Sequence, residues 1–134
     1  MTPEVIQRGN TRDRNSHDVR IQAFVAMAPA LGQGFQRSAQ VAQIDKPVLI
    51  IGAICDERTP VTVNAGHYAN FIPSATYTEL DAPAAHYVFM NVAKNGLRRQ
   101  APEIFQDAPS VDRQAVHDEV VAMVSGFTEE AFRE

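Results

Sequence analysis

A chain of 134 residues, 45% of them hydrophobic, has enough apolar material for one buried core and nothing in its length that argues for two domains. A formal net charge of -4 leaves no basic footprint for phosphates, which argues against nucleic acid and anionic membrane as partners. No apolar run approaches the roughly 18 residues of a membrane span. The start, Met1-Thr2-Pro3-Glu4, lacks the layout of a secretory signal, so a cytoplasmic setting is expected only by default. The lone Cys55 cannot form an internal disulfide.

Residues 1–18 are polar and read as a solvated lead-in. Ile21 to Pro29 is a short apolar run stopped by proline, which predicts a buried strand. Gly32 and Gly34 mark a loop, and Phe35 to Ile44 has the mixed pattern of a short surface helix. After Asp45-Lys46-Pro47 comes the clearest strand, Val48-Leu49-Ile50-Ile51-Gly52. Its unbroken aliphatic run suits a parallel strand covered on both faces. Cys55 to Pro60 is a polar loop, and residues 61–71 predict a helix with Val63, Tyr68 and Phe71 turned to the core.

Pro73-Ser74 breaks that helix, and Ala75 to Leu80 reads as a third strand. Residues 91–109 look irregular. A closing helix is expected from about Val111 with Ser110 as its N-cap, and Val116, Val120, Met123, Val124, Phe127 and Ala131 form one apolar stripe along it. Strands alternating with helices over short links predict an α/β domain, a parallel sheet with helices on both faces. Three strands make a thin sheet, so an exposed edge at the first strand is expected, with further strands upstream. Such an edge would let two copies pair as a homodimer.

In parallel α/β sheets the loops after the carboxyl ends of strands carry chemistry. Two such loops stand out, Asp56-Glu57-Arg58-Thr59-Pro60 and the one that leads to His86. A carboxylate and an imidazole at the same sheet end can hydrogen-bond, so that the acid fixes the tautomer of a general base. Either Asp56 or Glu57 can be that acid.

The segment Pro47 to Gly52 followed by Asp56-x-x-x-Pro60, the order acid then histidine, and Ala28-Pro29-Ala30 at the end of the first strand resemble the C-terminal part of α/β-hydrolases, nearest to dienelactone-hydrolase-like members. The resemblance spans about residues 19–133. It implies the C-terminal portion of an α/β-hydrolase fold, here a single partial domain over residues 1–134, with Asp56 and His86 as catalytic acid and histidine. It also implies a small-molecule ester or lactone substrate, acyl-enzyme chemistry and no cofactor. The family's Gly-x-Ser-x-Gly elbow is missing, since none of Ser16, Ser38, Ser74, Ser110 and Ser125 has glycine two positions before and after it. The nucleophile is therefore expected upstream of this chain. The alternative is a non-catalytic α/β binding or interaction module.

The other reactive side chains have plainer expectations. His67 and His117 are expected at the surface, Cys55 as a small packed residue, and the four histidines show no metal-ligand spacing. Gly32-x-Gly34 lacks the third glycine of a nucleotide loop.

Overall fold

The computed structural model describes residues 18–133. The polar lead-in, apart from Asp18, lies outside the described residues. Val48–Gly52 forms β2, and all five of its residues are buried. β2 lies between two parallel neighbours, β1 (Phe24–Met27) and β3 (Ala75–Glu79), in the order β1-β2-β3. Phe24 is opposite Val48 on one side, and Val48 is opposite Ala75 on the other.

Because side chains alternate across a strand, β2 serves two cores. Val48 and Ile50 join Val41, Ala65 and Ile72 beneath α1 (Ala65–Phe71). Leu49 and Ile51 join Leu80, Ala84, Val88 and Val116 on the opposite face, closed by a long C-terminal helix, Arg113–Ala131. Val120, Met123, Val124 and Phe127 of that helix pack against the same cluster, as their spacing predicts. The sheet is a small, open, parallel one with a helix on each face, an α/β arrangement.

The β1 run departs from its expected burial. Only Phe24–Met27 is strand, and Phe24, Val25 and Met27 keep 44%, 37% and 46% of their surface. β1 is the outer strand, and neither buried cluster includes any of its residues.

The expected helix over residues 35–44 is a single 3-10 turn, Ser38–Gln40. The Gln40 side chain takes the backbone N–H groups of Gln36 and Arg37, local bonds that compete with a longer helix. The helix expected over residues 61–71 is split into a 3-10 turn, Val61–Val63, and α1. Asn64 makes the break: its amide accepts from Gly32 N–H at 3.1 Å and donates to Pro60 C=O at 3.1 Å. Val63 is left exposed instead of in the core, whereas Tyr68 and Phe71 are half-buried against it.

Residues 91–109 are more regular than expected, with two short helices, α2 (Asn95–Gln100) and α3 (Pro102–Phe105). The long helix, α4, is capped by Asp112 and not Ser110. The Asp112 carboxylate accepts from Gln114 and Ala115 N–H, supplying the acceptor that a helix start needs.

The α2–α3 segment is held through Arg113 in the first turn of α4. Its buried guanidinium donates to both Asp107 carboxylate oxygens, at 2.7 and 2.9 Å, and to Ile104 C=O at 2.8 Å.

Two substitutions test this account. Ile51→Ala in the strand shared by both cores should cost about 2–5 kcal/mol, seen as a lower urea midpoint with an unchanged slope. Asp107→Ala leaves a buried guanidinium without its charge partner and should cost about 3–5 kcal/mol in the same assay. A loss below about 1 kcal/mol in either would contradict the packing described.

Candidate active site

β2 ends at Gly52, where an added Cβ would lie 2.9 Å from the Tyr77 hydroxyl and 3.0 Å from Val61 Cγ1, so that these side chains would have to give way. The chain then turns through the fully buried Ala53, and the Asp56 N–H donates to the Ala53 carbonyl at 3.0 Å. Two bonds prolong the β2–β3 ladder into the loops. Leu80 N–H donates to Gly52 C=O at 3.0 Å, and Cys55 N–H to Ala84 C=O at 3.1 Å. The acid loop and the histidine loop are thereby stitched together beyond the strands.

Asp56 lies in the resulting corner with 1% of its side chain exposed. One carboxylate oxygen, Oδ1, accepts from the backbone N–H groups of Arg58 at 2.9 Å and Thr59 at 2.7 Å, a turn that Asp makes with its own following backbone. The other, Oδ2, accepts from the Thr59 hydroxyl at 2.7 Å and from His86 Nδ1 at 2.7 Å. Burial alone would raise this carboxyl group's pKa. The Thr59 N–H, the Thr59 hydroxyl and the His86 ring outweigh burial and hold it below the ordinary carboxylate value.

His86 opens a 3-10 turn, His86–Phe89, anchored by the fully buried Val88. The His117 ring in α4 donates from Nε2 to the Val88 carbonyl at 2.9 Å, fixing that turn against the long helix. Because an ionised carboxylate only accepts, the 2.7 Å contact puts a proton on His86 Nδ1, so that in the neutral ring the lone pair is on Nε2. The Thr59 hydroxyl, its own proton committed to Asp56, lies 3.1 Å from the same Nδ1 as a second acceptor. His86 Nε2 has no hydrogen-bond partner among the described residues, and 25% of the side chain is exposed.

It borders a cleft of about 520 Å³, whose walls include Cys55, Glu57, Arg58, Tyr87 and Ser110. Tyr87 sets an edge against His86 at 5.0 Å between ring centroids, and the Arg58 guanidinium lies 4.9 Å over the Tyr87 ring. An imidazole held at Nδ1 by a carboxylate can take a proton at Nε2 from a hydroxyl brought to it.

Of the two acids expected, the structure brings Asp56 and not Glu57 to His86; Glu57 is exposed beside the cleft. Cys55 is exposed rather than packed. His67 and His117 are half-buried, not at the surface as expected: the His67 ring donates from Nε2 to Phe35 C=O at 2.5 Å and lies 4.5 Å from the Phe71 ring. Both histidines connect separate segments, which composition and position along a helix do not disclose. The bonds that Thr59 makes to Asp56 and His86, and that His117 makes to Val88, are not foreshadowed by the sequence. The nearest signal is the turn pattern of Asp followed three residues later by Thr.

Among the described residues no three His, Cys, Asp or Glu side chains gather as a metal site would require, and no helix is long and apolar enough to cross a membrane. Compared with family models, curated proteins and solved structures, the chain matches none.

The depressed Asp56 pKa fixes the sign of a pH effect. The unfolded chain binds this proton more tightly than the folded one, so the ionised Asp56 carboxylate stabilises the fold above the ordinary Asp value, about 4. That contribution disappears as pH falls through this value toward the folded-state one. Urea midpoints measured from pH 6 to pH 3 should fall less steeply for Asp56→Asn than for the unaltered chain. Parallel profiles would show that Asp56 does not carry the effect.

Proposed function

We propose that this chain supplies the acid and the histidine of a Ser-His-Asp hydrolase, as the C-terminal portion of an α/β-hydrolase fold acting on esters or lactones in the manner of dienelactone-hydrolase-like enzymes. The observation that carries the reading is the 2.7 Å bond from His86 Nδ1 to a buried Asp56, with the histidine itself lining a cleft. The residue types, their order along the chain and their place after parallel strands agree with it.

In this reading His86 Nε2 accepts the proton of a serine hydroxyl as that oxygen attacks the ester carbonyl carbon. Asp56 stabilises the imidazolium that results, and the same proton then passes to the departing alkoxide as the C–O bond breaks. Water repeats the sequence on the acyl-enzyme: His86 takes a water proton, hydroxide equivalent adds to the carbonyl, and the serine leaves with the proton returned. The serine comes from outside residues 1–134, because no serine here lies on the glycine-flanked turn such a nucleophile needs. The reading makes the pair a general base held ready, and the attacking group a separate contribution.

Two measurements test the reading. The nitrogen shifts of the His86 ring should report a single Nδ1–H tautomer near neutral pH, and Asp56→Asn, which can donate to that nitrogen, should shift the proton to Nε2. A tautomer unchanged by Asp56→Asn would sink the proposed roles. Turnover of a chromogenic ester by this chain alone should be absent or near background. Clear turnover that His86→Ala abolishes would place the nucleophile within these residues instead.

A further inference from the structure

The buried Asp56 carboxylate is nearly saturated by its own loop. An ionised carboxylate offers about four acceptor positions, two on each oxygen. Three are filled locally: Arg58 and Thr59 N–H donate to Oδ1, and the Thr59 hydroxyl donates to Oδ2 at 2.7 Å. The position left, also on Oδ2, is the one that His86 Nδ1 takes at 2.7 Å. Where the Thr59 hydroxyl sits therefore sets the side from which an imidazole can meet this acid.

That hydroxyl is itself held firmly. Pro60 follows Thr59 and disfavours helical backbone there, and the branched Cβ of threonine restricts its χ1. Because the Thr59 N–H and hydroxyl bond different oxygens of Asp56, one residue grips both ends of the carboxylate. With its proton given to Oδ2, the hydroxyl oxygen offers a lone pair to His86 Nδ1, 3.1 Å away. Asp56 Oδ2, Thr59 Oγ1 and His86 Nδ1 thus close a triangle with sides of 2.7, 2.7 and 3.1 Å, and the Nδ1 proton is shared between two acceptors. A ring turned over about its Cβ–Cγ bond would set a C–H where Nδ1 now lies and forfeit both.

We infer that Thr59 is a positioning residue for His86: its hydroxyl leaves Asp56 Oδ2 one open side, shares the Nδ1 proton, and so fixes the plane of the imidazole and the heading of Nε2. The catalytic use of that heading rests on the reading above. Thr59 acts only through Asp56 and His86, from the Nδ1 side of the ring, and touches no reacting atom.

The test follows the His86 ring protons by NMR in the unaltered chain, Thr59→Val and Thr59→Ser. Valine keeps the branched shape and the backbone N–H bond to Oδ1 and removes only the hydroxyl. In the unaltered chain the Nδ1 proton should give a resolved signal with a cross-relaxation contact to the Thr59 hydroxyl proton. Thr59→Val should speed exchange of the Nδ1 proton with water roughly tenfold or more, the effect of losing a hydrogen bond at a charged group. Thr59→Ser, which restores the hydroxyl without the branch, should return the rate to within about threefold of the unaltered chain. A rate indifferent to Thr59→Val, or not rescued by Thr59→Ser, would overturn the assignment. If Thr59→Val does not fold, the contact between the two protons decides, and its absence overturns the assignment as well. Asp56→Asn tells the two readings apart. A ring tautomer that answers to Asp56→Asn while exchange ignores Thr59→Val removes Thr59 alone. A rate that answers to Thr59→Val beside a tautomer indifferent to Asp56→Asn keeps Thr59 in place and removes the catalytic reading.

Discussion

Burial of β2 on both faces is the constraint from which the rest of the molecule follows. A strand with no wet side needs apolar residues at every position, backbone partners on both edges and a layer above and below. Each need is met: β1 and β3 take the ladder bonds, α1 covers Val48 and Ile50, and α4 covers Leu49 and Ile51. Burying each of those four side chains stabilises the fold by roughly 1.5–3 kcal/mol before chain entropy is counted. The same burial sets the direction of everything that leaves the strand. All three strands are parallel, so the loops after β1, β2 and β3 emerge at one end, and that end becomes the only place where their side chains can meet.

The meeting is then a matter of charge and hydrogen bonding. A carboxylate sunk to 1% exposure would ordinarily take up a proton. Asp56 stays ionised because two backbone N–H groups, one hydroxyl and one imidazole all donate to it. Three of those donors come from the acid loop itself and one from the turn after β3, and the Cys55–Ala84 and Leu80–Gly52 bonds join the two loops. The helix α4 contributes from a distance, since His117 fastens the Val88 carbonyl and with it the turn that carries His86. Stability and chemistry share one set of bonds here.

Other polar groups that the core swallows follow a similar rule. Arg113 is paired and bonded on several sides, and Asn64 uses both ends of its amide to join three segments. Among the described residues no buried side-chain nitrogen or oxygen lacks a partner. The outer strand is the contrast. β1 offers apolar side chains to solvent and carries no share of either buried cluster, and the loop that follows it is held in the left-handed region at Ala28 and Leu31.

What the amino-acid sequence determines by itself is the part governed by local chemistry. An unbroken aliphatic run reads as a doubly covered strand, a stripe at helical spacing reads as a docked helix, and Pro or Gly marks the stops; these placed β2, β3 and α4 within a residue or two. Strand polarity then brings Asp56 and His86 to the same sheet end, so the pairing was legible from order alone. Tertiary structure decided the rest, because the deciding partner lies far along the chain. Asn64 breaks the helix in answer to Gly32 and Pro60, and His67 and His117 are drawn inward by carbonyls of Phe35 and Val88. Asp56 and not Glu57 meets the histidine because the turn built on Thr59 and Arg58 aims that carboxylate inward. β1, apolar by composition, is left partly exposed by the described residues. Propensity is a property of neighbours in sequence, whereas burial and hydrogen-bond satisfaction belong to neighbours in space.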